Sequence, residues 1–364
     1  MSASGTAQAD RFAPLFANLR NKNEDVRQAA AIQLRDLVKS IVTEVRPDAA
    51  AKIWNDQINP KLFELAHSSV THERLGGLVA IDRLLDIESD EAIEPRAVKH
   101  YRLYQYVKSG LQCNDINLMI TASKTLGRVL EIGGNFGDAF MPAEIPRLLE
   151  SLNNDRDLSR YAAVLILRAL ARFSVAQFYP FVGNVLERIW IPLRDSRVVV
   201  REGAADLLAS CLDIVGNRPG QSHAINHAKI LNQAVAGFKS TSVDVVHGSL
   251  LAYRELLLHA GMFMNETFTV NAETVLRFKD HKELLIRRTV VALIPTLAVY
   301  DTQTFTEQFL HKTMGYLLPL LKKPSERSIA FIAIGHISAA VGSEMKAFLE
   351  PIMTNIKEAL QSRG

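Results

Sequence analysis

The chain has 364 residues, 48% of them hydrophobic and 22% charged, and its formal net charge of +3 is too even for bulk attraction to nucleic acid or membrane. Aromatic residues make up 7%, and the two cysteines, Cys113 and Cys211, have no paired spacing for metal or redox chemistry, which fits a reducing intracellular compartment. Residues 1–10 lack the basic flank and apolar run of a signal peptide, and no apolar run reaches the roughly 18 residues of a membrane span.

In chain order, residues 1–10 are expected to be disordered and residues 11–364 to form paired helices. The pairs fall at about 11–43, 48–87, 96–133, 143–173, 176–215, 223–260, 265–299 and 303–341, with a terminal helix at 344–361. Asn21 to Asp25 supplies the short polar side chains of a helix-to-helix turn. An acidic linker at 87–95 follows the second pair, and Gly133-Gly134 caps the third. The fourth pair turns at 153–157, and 216–221 carries the strongest loop signal. Pro14, Pro60 and Pro146 sit 13 or 14 residues before an anchoring arginine, where each bends or starts the first helix of its pair.

That anchor is a recurring register. Arg160 is followed two and three residues on by Ala162 and Ala163, and seven and ten residues on by Leu167 and Leu170. The same spacing starts at Arg27 (Ala29, Ala30), Arg74 (Gly76, Gly77), Arg201 (Gly203, Ala204) and Arg327, and more weakly at Met119, Val246 (Gly248) and Arg287. The eight anchors, 27, 74, 119, 160, 201, 246, 287 and 327, are 40 to 47 residues apart, the period of HEAT-type repeats. The expected fold is therefore an all-α HEAT-repeat α-solenoid, with neighbouring units sharing one core. The small residues mark close helix approach. Arg27, Arg74, Arg160, Arg201, Arg287 and Arg327 are expected to bond carbonyls or carboxylates of adjacent turns as a structural ladder, which is favoured over an anion-binding stripe.

No catalytic, cofactor or metal site emerges. Gly133 to Gly137 follows a helix, not a strand, and lacks the Lys-Ser/Thr of a phosphate loop. His223 and His227 stand at i, i+4 without a third ligand, so a solvated helix face is expected. His72-Glu73 is the one His-Glu dipeptide, too few for an iron-binding HEAT enzyme. Trp54 and Trp190 fall in separate repeats, against an aromatic nucleic-acid face.

Five blocks go further: His72-Glu-Arg-Leu-Gly-Gly-Leu-Val-Ala-Ile81, Arg160 to Leu170, Arg201-Glu-Gly-Ala-Ala205, His247-Gly-Ser-Leu-Leu251, and Glu326 to Phe331 with Ser343 to Lys346. In this order they resemble the N-terminal HEAT region of the target-of-rapamycin kinases, over about residues 19–360. The resemblance implies a non-catalytic scaffold. The family continues into further repeats, a FAT domain, a rapamycin-binding domain and a Ser/Thr kinase domain, none of which lies in these residues. It also implies partners: a Raptor-like adaptor, a Rheb-type small GTPase, and other parts of the parent chain or its dimer. The implied setting is nutrient and growth signalling in the cytoplasm, peripherally at lysosomal or vacuolar membranes. A stand-alone HEAT adaptor, such as a transport receptor or phosphatase scaffold, is the alternative, and a HEAT-like enzyme the third.

Overall fold

A computed structural model describes residues 3–88, 91–154, 158–217 and 222–361, and the side chains of all of these except 3–10, 135, 222–224, 359 and 360. Residues 89–90, 155–157 and 218–221, which the sequence assigns to the linker and two loops, lie outside the described residues. So does the side chain of His223. Among the described residues every regular element is helical, and the fold is an all-α HEAT-repeat solenoid. The chain divides into two compact units, Met1–Arg188 and Ile189–Gly364.

In Met1–Arg188 the first pair is Ala3–Leu19 with Glu24–Glu44. Residues 3–10, expected to be disordered, continue the first helix. The second pair opens with Pro47–Ile53, a π-turn at Trp54–Ile58 and Asn59–Ala66, followed by Thr71–Leu84. The π-turn sits immediately before Pro60, whose ring clashes with the carbonyl four residues back and which has no amide to donate. Arg96–Leu111 with Ile116–Gly133, and Met141–Ser151 with Ser159–Phe173, complete the third and fourth pairs. The second helices of these four pairs pack each on the next.

The first helix of the fifth pair was expected to be continuous over 176–189. It is instead broken into Val175–Phe178, a 3-10 turn at Tyr179–Phe181, and Val182–Arg188, because Pro180 cannot continue the hydrogen-bond ladder. Ile189–Gly364 begins there, with Trp190–Leu193 and Val198–Gly216. Three pairs follow in this unit. They are Ser222–Gly237 with Val243–His259, Phe268–Arg277 with Leu284–Tyr300, and Leu310–Leu320 with Arg327–Val341, the last entered through Thr302–Thr304 and a π-turn at Phe305–Phe309. Second helices again stack in succession. The expected starts at 265 and 344 differ from the structure, which places 3-10 segments at Gly261–Thr267 and Gly342–Phe348 ahead of the α-helices. Both segments start at a glycine of positive φ, Gly261 at 53° and Gly342 at 57°, as does Gly134–Ala139 at Gly134. Only glycine enters that region without strain, so the second helix ends there and the chain turns.

The core follows the register. The side chain seven residues after each anchor, from Leu34 and Ile81 through Leu126, Leu167, Leu208, Tyr253 and Ile294 to Ile334, is buried in all eight pairs, each contributing about 1.5–3 kcal/mol. Arg327–Glu358 is long and apolar enough to cross a membrane by length and composition alone. It is not a clear span, because the Gly342–Phe348 segment interrupts it and Ala330, Ile334 and Ile337 belong to the core.

Candidate interaction surface

The repeated arginines close the turns. The last carbonyls of any helix lack intrahelical donors, and a guanidinium placed there makes charge-assisted bonds and complements the helix dipole. Arg27 donates to the carbonyls of Asn21 at 2.9 Å and Lys22 at 2.8 Å. Arg74 donates to Ser68 at 2.6 Å, Arg160 to Leu152 at 2.9 Å and Arg201 to Asp195 at 2.5 Å. Arg287 donates to His281 at 2.9 Å, and Arg327 to Leu321 at 2.8 Å. Each therefore fastens its own turn, in addition to which some of the expected bonds to adjacent turns form. Arg201 and Arg287 also reach the next pair, at Asp244 (2.6 Å) and Glu326 (3.4 Å).

The small residues lie where backbones approach. A Cβ added to Gly76 would meet the Leu19 carbonyl oxygen at 1.9 Å, and one added to Gly248 would meet that of Leu193 at 1.7 Å. In both cases the oxygen ends the first helix of the preceding pair. At Gly77 the obstacle is Leu65 of its own first helix, 2.9 Å away. Ala30, Ala162, Ala163, Gly203 and Ala204 are buried. Ala29, in the first of the described pairs, is the exception: it is exposed.

The second helices thus pack tightly, and three grooves open along first helices. One groove of about 560 Å³ separates pairs one and two, bounded by Phe12, Phe16, Arg20, Gln57 and Glu64. Another of about 510 Å³ lies between pairs three and four, bounded by Lys108, Glu144 and Arg147. A third of about 450 Å³ lies between pairs seven and eight. Two of the three adjoin a π-turn, Trp54–Ile58 and Phe305–Phe309. In the first groove Arg20 is held by Glu64 at 3.1 Å and Glu73 at 2.9 Å. In the second, Glu144 takes both Lys108 and the Tyr104 hydroxyl; burial and that carboxylate push the Tyr104 phenol well above its ordinary value.

Neither tryptophan offers an open stacking face. Trp54 is buried, donating to Glu94 at 3.0 Å with Lys99 over its ring, and Trp190 is buried against Arg194. Burial lowers the Lys99 ammonium below its usual range. His227, expected on a solvated face, is buried against Phe263, because that side of its helix meets the 3-10 segment. Among the described residues no group of three His, Cys, Asp or Glu side chains is placed to hold a metal. Sequence reasoning missed a surface aromatic cluster joining first helices, with Phe63 stacked on His67 at 4.1 Å and Tyr106 edge-on to both. The four-residue spacing of Phe63 and His67 was its visible signal.

No family model matches the chain. The Ser/Thr-protein kinase tor1 of Schizosaccharomyces pombe is 37% identical over 349 residues, 96% of this chain. Its relatives are target-of-rapamycin kinases. TOR2 of Saccharomyces cerevisiae is 29% identical over 96% of the chain, and TOR of Arabidopsis thaliana 28% over all of it. The chain spans 14 to 15% of the length of these TOR kinases. Yeast importin-beta Kap95p superposes over 96% of the chain and 44% of its own, with TM-score 0.62 and 12% identity. Kap95p with RanGDP gives 0.60 at 14% identity over 94% of this chain and 42% of its own. Both show the HEAT fold alone. These TOR-related residues match a small part of each kinase and fold as a solenoid, not as a kinase domain.

Proposed function

We propose that this chain is the N-terminal docking scaffold of a TOR-type Ser/Thr kinase in nutrient and growth signalling. It receives a Raptor-like adaptor, a Rheb-type small GTPase and other parts of the parent chain or its dimer partner. It works in the cytoplasm and, through the parent complex, peripherally at lysosomal or vacuolar membranes. The observation that carries this reading is the 37% identity to tor1 across 96% of the chain. The geometry supports it. Tightly stacked second helices and fastened turns hold the first helices in place, leaving grooves and exposed apolar side chains such as Phe63 and Tyr101 for partners.

The test is binding of the immobilised 364-residue chain to a purified Raptor-type adaptor and, separately, to a Rheb-type GTPase. Retention of the adaptor, weakened by Phe63→Asp with an unchanged melt, is the expected result. Capture of import cargo with no adaptor bound would overturn it in favour of a stand-alone transport adaptor.

A further inference from the structure

We propose that the groove between the first helices of pairs seven and eight is a docking site for an acidic, amphipathic helical segment of a partner protein. One wall is Leu276, Arg277 and Lys279 at the end of the seventh first helix; the other is Phe309, Lys312, Thr313 and Tyr316, with Ile294 at the base. The π-turn at Phe305–Phe309 ends where the second wall begins. Phe309, Thr313 and Tyr316 then follow at i, i+4 and i+7, one face of a helix. About 450 Å³ of space between apolar side chains suits a helix laid along it by anchors of the same spacing.

Charge selects the partner. Arg277 and Lys312 are exposed on opposite walls, and neither has an ion pair among the described residues. Lys279 is neutralised by Asp280 and lies over the Tyr316 ring, which leaves Glu273 as the remaining carboxylate in the lining. In the first-pair groove, by contrast, Arg20 and Lys61 are already engaged by carboxylates of this chain. Thr313 adds an unfilled hydrogen-bonding position. Helical Thr43, Thr121, Thr274, Thr289 and Thr302 return their hydroxyls to the carbonyl four residues back. The Thr313 hydroxyl, on a residue 3% exposed, has no hydrogen-bond partner. Cations flanking an apolar floor favour carboxylates beside apolar anchors and repel a basic segment.

The experiment uses the full 364-residue chain and a fluorescein-labelled, helix-forming peptide with leucines at i, i+4 and i+7 and glutamates between. Its partner probe has lysines in place of the glutamates. Fluorescence anisotropy at low salt should show saturable binding of the acidic peptide alone. Arg277→Glu with Lys312→Glu should weaken it by about tenfold or more, and the milder Lys312→Gln by less. Arg147→Glu in another groove should leave it unchanged, and the melting temperature of each variant should match that of the parent. Equal binding of the lysine peptide, no binding up to about 1 mM, or an unchanged affinity in the double variant overturns the proposal. So does sedimentation with phosphatidylserine vesicles, lost in the same double variant, without peptide binding; that result would assign the groove to a lipid surface.

Discussion

One substitution, glycine to alanine, should change sign with position along this chain. At Gly248 the new Cβ would lie 1.7 Å from the Leu193 carbonyl oxygen, where ordinary contact begins at 3.4 Å. That oxygen belongs to the backbone of a packed helix, so relief requires the two helices to part by well over 1 Å. Such overpacking costs 1–3 kcal/mol, and an immovable obstacle places Gly248→Ala near 3 kcal/mol. For a unit of this size that lowers Tm by roughly 6–12 °C. Gly76→Ala, at 1.9 Å from the Leu19 oxygen, should behave alike. Gly315 and Gly335 lie inside helices with nothing within 4 Å of their added Cβ. There alanine removes unfolded-state freedom and gains about 0.5–1 kcal/mol, raising Tm by roughly 1–4 °C. Thermal and urea melts of the four single variants decide the matter. Shifts of one sign at all four positions would refute close inter-pair approach at Gly76 and Gly248.

Ala204→Leu, at a fully buried position, should cost about 1–3 kcal/mol; an unchanged melt would mean the repeat register is misplaced. The His247 ring accepts from Arg201 Nε at 2.9 Å and must stay neutral, and burial followed by the Arg201 and Arg254 charges lowers it from 6.5 to about 4. Stability is therefore complete above pH 6.5 and falls by roughly 3 kcal/mol as the pH drops to about 4. Urea melts of the parent and His247→Gln, which accepts without titrating, should diverge below pH 6; parallel curves would refute this. His259, between Glu255 and Asp213 at 2.6 Å, is raised above its usual range by Glu255 first. Its contribution is complete below the ordinary imidazole value and is lost as pH rises through the raised one, so Asp213→Asn should lower its NMR titration midpoint. Thr313→Val removes an unpartnered buried hydroxyl and should stabilise by about 1 kcal/mol; a lower melt would show that a hydrogen bond exists there.

The repeat was legible because stacking imposes it at fixed spacing. A small residue is required where the Leu19 and Leu193 carbonyls press in, at Gly76 and Gly248, and a large one five residues on, at Ile81 and Tyr253. A period of that kind reports which face is buried. It does not report which neighbour covers it, so the arginine bonds were placed on adjacent turns when the nearest unsatisfied carbonyls belong to each arginine's own turn. Ala29 obeys the pattern and yet lies exposed. The π-turn at Trp54–Ile58 had a partial sign in Pro60, whereas that at Phe305–Phe309 has no comparable residue. The grooves were invisible, since they depend on how far apart helices settle, a quantity no single helix encodes. His227 shows the same limit: its partner Phe263 lies in a 3-10 segment that the helical period does not anticipate.

The arginine fastenings bear on how such a chain is made. Each is complete within eight residues of its anchor, and the packed second helices come from neighbouring pairs. A newly synthesised segment can therefore lock its bend before the following forty residues leave the ribosome. Layers can then be added in the order of translation, with little loop-closure entropy at any step.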